Sequence, residues 1–318
     1  MDQTTRIAVA SRSFSKHPVL RAELLQRYAS VTFNDEGLSL KGDALVEFLA
    51  GHDKAITALE RLDAPTLERL PDLKVVGKYG VGLDMIDLAA MSRLGKRLGW
   101  TGGVNKRSVS ELVISAAIAL LRHVPAGRDM VREGGWRQLM GRQISGRTIG
   151  IVGCGHIGKD LSVLLKAFGC RVLAHDIKDF PDFYAAHGVE PVGLDELLRA
   201  SDVVTLHLPY DESTRNILTA ERLALMRSDA ILINMARGGL VDEAALKAML
   251  KDGRLAGAAF DVFAHEPPED LELLRLPAML ALPHIGGSAE EAVLAMGRAA
   301  ISGLDNARDP LAFVGQGG

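Results

Sequence analysis

The sequence predicts an α/β fold built on doubly wound parallel sheets, and three observations lead to this class. Short apolar runs typical of buried strands alternate with amphipathic helical patterns along nearly the whole chain, as in sheets covered by helices. A glycine-rich turn near the middle joins one apolar run to a helical pattern, and polar residues follow several later runs. With 318 residues, the chain is long enough for two domains.

The first third of the chain contains four early strand candidates. They lie at 6–10, 31–33, 54–58 and 74–77, and a helical pattern at 19–29 separates the first two. The stretch SRSFSKHP, at 11–18, follows the first strand and is expected to form a basic loop.

Two capping boxes mark the clearest helices. Ser108 and Glu111 form one box, and the apolar residues that follow recur at helical spacing. Ser288 and Glu291 form the second, which predicts a final helix extending to about Asn306.

The composition excludes several classes of protein. With 47% hydrophobic and 24% charged residues, the chain is an ordinary globular protein. A net charge of −3 gives no basic surface for nucleic acid or an anionic membrane, so neither is expected as a partner. The apolar stretch at 112–121 is shorter than the ~20 residues that a membrane span requires.

The cysteine content and the N-terminus suggest the compartment. Residues 1–10 contain Asp2 and lack an apolar signal core, so secretion is not expected. Cys154 and Cys170 are the only cysteines, which suits a reducing cytoplasm better than a disulfide scaffold. The Cys and His residues do not cluster at ligand spacing, and no metal site is expected.

The glycine-rich turn predicts a dinucleotide site. Gly153, Gly155 and Gly158 match G-x-G-x-x-G between an apolar strand and an amphipathic helix. Such glycines permit a tight turn, close approach of the pyrophosphate and close helix–strand packing. Asp176 ends the next strand, where a carboxylate can accept hydrogen bonds from the ribose hydroxyls of NAD and would repel a 2′-phosphate. NAD is therefore the expected cofactor.

Three polar residues follow three later strands. Arg237, Glu266 and His284 each come after an apolar run, so all three are expected at the sheet edge that also carries the glycine turn. A guanidinium, a carboxylate and an imidazole beside a nicotinamide form a coherent catalytic set. The later strands are predicted at 202–208, 230–234, 255–263 and 278–282.

Each of these three residues also has a structural interpretation. Arg237 could pair with Asp242, Glu266 could be a solvated loop acid, and His284 could be a turn histidine held between Pro283 and two glycines. Their convergence on one edge favours the functional interpretation.

The ordered motifs resemble those of a known family. The chain is similar to the D-isomer-specific 2-hydroxyacid dehydrogenases, of the phosphoglycerate dehydrogenase or glyoxylate/hydroxypyruvate reductase type without a C-terminal regulatory domain. The motifs are KYGVGLDMID (78–87), TGGVNKRSVSELVI (101–114), GCGHIG (153–158), NMARGGLVDE (234–243), DVFAHEPP (261–268) and PHIGGS (283–288).

The resemblance implies a particular architecture. Two Rossmann-like domains, one flavodoxin-like and one dinucleotide-binding, would flank a cleft. Residues 1–102 with 286–318 would form the substrate domain, and residues 103–285 the NAD domain. The helix from Ser108 would lead a dimerisation arm, which implies a homodimer.

The resemblance also implies roles for individual residues. His284 would be the catalytic acid/base, Glu266 its carboxylate partner, and Arg237 a substrate-binding and catalytic arginine. The turn Gly80-Val81-Gly82 would hold the substrate carboxylate through backbone N–H groups, and Asn105 would line the substrate site. Cofactor contacts would come from Gly153, Gly155, His156, Ile157, Gly158, Asp176, Ser108, His207, Pro209, Thr214, Ala236 and Asp261.

The implied activity is hydride transfer between NAD and C2 of a D-2-hydroxy acid or 2-oxo acid. The expected substrates are 3-phosphoglycerate, glyoxylate or hydroxypyruvate, and the basic residues of 11–18 leave open whether a phosphate is recognised. The alternative is an NAD(H)-sensing, corepressor-like binding protein on the same fold. Formate oxidation is disfavoured, because formate dehydrogenases of this fold have a glutamine where this chain has Glu266.

Overall fold

The computed structural model describes residues 2–315 and divides the chain into two compact units. The first unit is Met1–Asn105 with Ala289–Gly318, of which residue 1 and residues 316–318 lie outside the described part. The second is Lys106–Ser288. The boundaries expected from the sequence, after 102 and 285, lie a few residues before these.

The first unit contains a parallel five-stranded sheet with the order β2-β1-β3-β4-β5, the flavodoxin-like order. Its strands are β1 (Asp2–Val9), β2 (Tyr28–Phe33), β3 (Lys54–Thr57), β4 (Val75–Lys78) and β5 (Arg97–Gly99).

The second unit contains a parallel seven-stranded sheet with the order β12-β11-β10-β9-β6-β7-β8. The strand order reverses between β6 and β9, which is where doubly wound sheets bind ligands. Its strands are β6 (Thr148–Val152), β7 (Arg171–His175), β8 (Val189–Pro191), β9 (Val203–Leu206), β10 (Ile231–Asn234), β11 (Gly257–Phe260) and β12 (Met279–Ala281).

The helices connect successive strands. Those of the first unit are α1 (Arg12–Lys16), α2 (Pro18–Leu25), α3 (Gly42–Leu49), α4 (Ala64–Glu68) and α5 (Leu88–Arg93), joined near the C-terminus by α14 (Glu290–Gly303) and a 3₁₀ turn (Pro310–Phe313). Those of the second unit are α6 (Lys106–Leu121), α7 (Val124–Arg132), α8 (His156–Ala167), α9 (Pro181–His187), α10 (Leu194–Ala200), α11 (Ala220–Leu223), α12 (Glu243–Lys251) and α13 (Leu271–Leu274).

Both sheets are buried on both faces. In the first, Ala8 of β1 packs in a core with residues of α3, α4 and α5, and its neighbour Ile7 packs with residues of α1, α2 and α14, because successive strand side chains point to opposite faces. In the second, Val204 of β9 packs with α10 and α12, and Val203 packs with α6 and α8. Burial on both faces explains why the strand sequences are continuous apolar runs.

Two predictions about local structure in the first unit are wrong. Residues 11–18 contain the helix α1, which Ser11 caps by accepting from Phe14 N, instead of a loop. The helical pattern at 19–29 ends at Leu25, and Tyr28 already belongs to β2.

Neither capping box forms. The helix α6 begins at Lys106, so Ser108 lies inside its first turn, and its hydroxyl donates to Gly286 O. The N-cap of α14 is Ala289 rather than Ser288, without a side-chain cap, and the helix ends at Gly303 rather than near Asn306.

The helix α7 has no buried residue. Around it, Val124, Val131, Trp136 and Met140 are all exposed, Trp136 by 89% and Met140 by 95%. Within residues 2–315 no single helix is both long and apolar enough to cross a membrane, and only α6 and α7, bent by 61° at their junction, would qualify as a pair.

Candidate functional site

The glycine turn of the second unit has the geometry of a phosphate cradle. Gly153 follows β6 with φ of +99°, which is a left-handed conformation that favours glycine. A Cβ on Gly153 would overlap the carbonyl of His207, and one on Gly158 would overlap the carbonyl of Gly153. Gly155 is the N-cap of α8 and provides no side chain there, so the helix N-terminus is available to an anion.

The first turn of α8 is basic as well as glycine-rich. His156 and Ile157 are its first two residues. Partial burial lowers the pKa of His156, and the ammonium groups of Lys106 and Lys159 lower it further. Lys106 and Lys159 therefore supply positive charge near the turn expected to hold a pyrophosphate, whereas the lowered pKa of His156 disfavours its charged form.

Asp176 lies where an adenosine ribose is expected. It follows β7 and is half-buried. Its Oδ2 accepts a hydrogen bond from Cys154 N at 2.6 Å, and its Oδ1 accepts one from Lys178 N at 2.8 Å. The carboxylate is thus fixed beside the glycine turn.

His207 lies beneath the glycine turn, with its backbone N donating to Val152 O. Its Nε2 is 3.0 Å from Thr205 Oγ1, and its buried Nδ1 has no partner within the described residues. Burial lowers the pKa of His207 to about 3, so the ring is neutral at ordinary pH.

Pro209 and Thr214 form one turn after β9. Thr214 is 9% exposed, and its hydroxyl donates to Pro209 O at 2.8 Å and accepts from Asp211 N at 2.9 Å. The side chain of Thr214 therefore stabilises the loop.

Asn234, which the sequence interpretation missed, shapes the loop that carries Arg237. Asn234 ends β10 and is 1% exposed. Its Nδ2 donates to Arg237 O at 2.9 Å, and its Oδ1 accepts from Ala236 N at 3.2 Å. Arg237 is half-buried, and its Nη1 donates to Ala236 O at 2.7 Å. The sequence signal that could have identified Asn234 is its position, since it lies between an apolar strand and Arg237.

Glu266 and His284 form a direct pair. Glu266 Oε2 lies 2.8 Å from His284 Nδ1, with the two side chains 38% and 51% exposed. Glu266 Oε1 accepts from Phe263 N at 3.2 Å, which orients the carboxylate. The other ring nitrogen of His284, Nε2, remains for a reacting group.

Asp261 and Ser108 hold the turn that contains His284. Asp261 is 1% exposed, and its carboxylate accepts from Ile285 N at 2.7 Å and from Gly286 N at 2.6 Å. Ser108 Oγ donates to Gly286 O at 2.6 Å. His284 has φ of +56°, uncommon for a residue other than glycine, so these three bonds stabilise a conformation that the chain would otherwise avoid. Burial raises the pKa of Asp261 despite its two N–H donors.

The predicted carboxylate-binding turn belongs to the first unit. Gly80 follows β4 with φ of +115°, and Trp100 Nε1 donates to Val81 O at 3.0 Å, which fixes the turn before Gly82. Asn105 is also in the first unit, and its Oδ1 is buried without a partner in residues 2–315.

Comparison with known proteins identifies a family model over the second unit. Residues 114–286 match the model described as D-isomer specific 2-hydroxyacid dehydrogenase, NAD binding domain.

Similar proteins extend the match to most of the chain. The D-3-phosphoglycerate dehydrogenase of Methanocaldococcus jannaschii is 38% identical over 73% of this chain, which spans only 45% of that protein. The hydroxypyruvate reductase of Thermotoga maritima is 35% identical over 80% of this chain and 84% of that protein. A crystal structure of a D-isomer specific 2-hydroxyacid dehydrogenase from a Polaromonas species superimposes with a TM-score of 0.87 at 29% identity and covers 95% of both chains.

Proposed function

Because the chain belongs to the D-isomer specific 2-hydroxyacid dehydrogenase family, we propose that it is an NAD-dependent enzyme that interconverts a D-2-hydroxy acid and its 2-oxo acid. The observation that supports this most directly is the pair of Glu266 and His284, joined at 2.8 Å on the sheet that carries the glycine turn.

The second unit fits NAD. Its cradle would be filled by a Cβ at Gly153 or Gly158, Lys159 provides a cation in the first turn of α8, and Asp176 directly follows the next strand. Bound NAD would supply the hydride acceptor at its nicotinamide. We assign the pyrophosphate to residues 153–158 and the ribose hydroxyls to Asp176.

The catalytic roles follow from the geometry around His284. In oxidation, neutral His284 would take the C2 hydroxyl proton on Nε2, because Nδ1 is engaged by Glu266. In reduction, the imidazolium would return a proton to the same oxygen. Glu266 would orient the ring and stabilise its charged form, and Arg237 would bind the substrate through its planar guanidinium.

Several predicted cofactor residues are proposed to act by shaping the site. The side chains of Ser108, Thr214 and Asp261 bond within the protein, and that of His207 is buried against Thr205. We assign them to shaping the walls of the NAD site. The loops at Pro209 and Ala236 would line it by van der Waals contact, since their carbonyl oxygens already accept from Thr214 and Arg237.

The substrate is proposed to be a small hydroxy acid such as glyoxylate, hydroxypyruvate or 3-phosphoglycerate. The N–H groups of the Gly80–Gly82 turn would bind its carboxylate, and Asn105 Oδ1 would accept a hydrogen bond from its hydroxyl. Arg12 and Lys16 of α1 are exposed and would be the cations available to a phosphate in that region of the sequence, whereas Ser15 is buried and bonds to Val9 O.

The test is loss of NADH absorbance with glyoxylate, hydroxypyruvate, its phosphorylated form and pyruvate. Rapid turnover of one member would support the enzyme and define the substrate class. Tight NADH binding with no turnover of any member would instead favour the corepressor-like sensor.

We also propose a homodimer in the cytoplasm. The exposed apolar side chains around α7, Trp136 and Met140 foremost, form a surface of the kind that a second copy covers. Cys154 and Cys170 are both free thiols, which suits a reducing compartment.

A further inference from the structure

Glu243 makes a hydrogen bond that the proposed mechanism does not use. It is the first residue of α12, whose N-cap Asp242 already accepts from Ala245 N. Glu243 Oε1 accepts from Ala264 N at 2.9 Å. A helix-start carboxylate thus binds the backbone of a different loop, the one that follows β11.

That loop carries Glu266. The amide of Phe263, next to that of Ala264, donates to Glu266 Oε1 at 3.2 Å, and Glu266 Oε2 contacts His284 Nδ1. Phe263 is buried, whereas Ala264 and the two residues after it are exposed. Beyond Phe263 the loop has less side-chain packing, so its backbone hydrogen bonds contribute to the position of the Glu266 carboxylate.

The same peptide also contacts the loop of Arg237. A Cβ on Gly238 would overlap the carbonyl of Phe263, and it would come within 2.5 Å of Ala264 N. The backbone directly after Arg237 therefore lies against the peptide that Glu243 holds. One peptide, 263–264, links the position of the arginine to that of the glutamate.

We propose that Glu243 is a positioning residue for proton transfer, because its bond to Ala264 N fixes the 263–266 segment and thereby the contact between Glu266 and His284. This inference rests on the proposed roles of Glu266 and His284. Glu243 itself touches neither the proton acceptor nor the cofactor turn. Its loss should weaken stabilisation of the imidazolium and leave NADH binding intact.

Two substitutions separate this role from a charge effect on the helix. Glu243→Gln keeps an oxygen that can accept from Ala264 N and removes the charge. Glu243→Asp keeps the charge at the N-terminus of α12, where it favours the helix, but shortens the side chain by one methylene. Positioning predicts that the Gln variant keeps the wild-type kcat and that the Asp variant has a lower kcat, and a helix-charge role predicts the reverse.

The matched control is Glu221→Gln. Glu221 likewise lies in the first turn of a helix in this unit, and its side chain bonds to Thr219 of its own cap. Asp261, which interacts electrostatically with both His284 and Glu266, is unchanged in all three variants.

The measurement is the pH profile of kcat for 2-oxo acid reduction, with NADH affinity and thermal midpoint measured on the same samples. For Glu243→Asp we expect kcat to fall about 3- to 10-fold, as for one lost hydrogen bond, and the falling limb to move to lower pH. Glu243→Gln and Glu221→Gln should stay within about twofold of wild type in kcat, since neither loses the bond to Ala264 N.

A Glu243→Asp profile that superimposes on wild type would overturn the inference. So would a kcat loss with an unchanged profile and a parallel fall in thermal midpoint, because that result would indicate a structural role alone. His284→Ala, measured alongside, distinguishes failure of the proposed function from failure of this inference. Retained turnover there would defeat the proposed function, whereas lost turnover there beside normal Glu243→Asp would defeat this inference only.

Discussion

His284 Nδ1 and Glu266 Oε2 lie 2.8 Å apart although 18 residues separate them in the sequence. The contact exists because β11 and β12 are parallel neighbours, so the loops after both strands emerge at one edge. Asp261 then holds the turn of His284 through two N–H groups. The pair is therefore preorganised before any ligand binds.

Replacement of His284 by alanine should abolish most turnover. General acid–base catalysis contributes about 10²- to 10⁴-fold, so kcat should fall by that order. NADH fluorescence titration should show unchanged affinity, because the cofactor turn is at 153–158. His265→Ala, an exposed histidine next to Glu266 in the sequence, is the control. Wild-type turnover in His284→Ala would contradict the assignment.

Replacement of Glu266 by glutamine should shift the pH profile. The carboxylate lies 2.8 Å from the ring, and an opposite charge at that distance favours the charged form of the pair. The falling limb for reduction and the rising limb for oxidation should therefore both move to lower pH. Stopped-flow rates of 2-oxo acid reduction and of hydroxy acid oxidation, measured between pH 5 and 9, would show this shift. Limbs that stay in place would mean that Glu266 only orients the ring.

Replacement of Asp176 by asparagine should relax the preference for NAD. The amide oxygen can still accept from Cys154 N or Lys178 N, but the charge that repels a 2′-phosphate is gone. The ratio of kcat/KM for NADPH to that for NADH should rise about tenfold or more, which corresponds to about 1.4 kcal/mol. Asp179→Asn, an exposed acid in the same loop, should leave the ratio unchanged. An unaltered ratio in Asp176→Asn would place the ribose elsewhere.

The buried ring of His207 should make stability fall in acid. Its pKa in the folded state is about 3, below the ordinary value of 6.5, so between these values the unfolded chain binds the extra proton. The free energy of unfolding should decline as pH falls below about 6.5, by up to about 1.4 kcal/mol per pH unit from this group. Urea unfolding from pH 7 to 4 should show a shallower decline for His207→Gln than for wild type. Identical slopes would show that His207 does not titrate on unfolding.

The exposed apolar surface around α7 should be a dimer interface. Trp136→Ser combined with Met140→Ser should convert a dimer to a monomer in light scattering, because both side chains are almost fully exposed in one chain. Leu59→Ser, a control at an exposed leucine of the first unit, should leave the mass unchanged. A wild-type chain that is monomeric at micromolar concentration would contradict the proposal.

Much of this protein is predictable from sequence alone. The alternation of apolar runs and helical patterns predicts two parallel sheets, and the spacing of Gly153, Gly155, Gly158 and Asp176 predicts a dinucleotide turn. The fold prediction is confirmed, because strand burial and the strand–turn–helix order are local properties.

Tertiary structure alone determined how the side chains are used. Ser108 fits a capping box in the sequence, yet its hydroxyl binds Gly286 O, because α6 begins earlier and packs beside the His284 turn. Asn234 and Glu243 look like ordinary polar residues, and each holds a loop that carries a catalytic candidate. A hydrogen bond between residues distant in the chain depends on which strands are neighbours and on the loop conformations that follow, and local sequence patterns record neither.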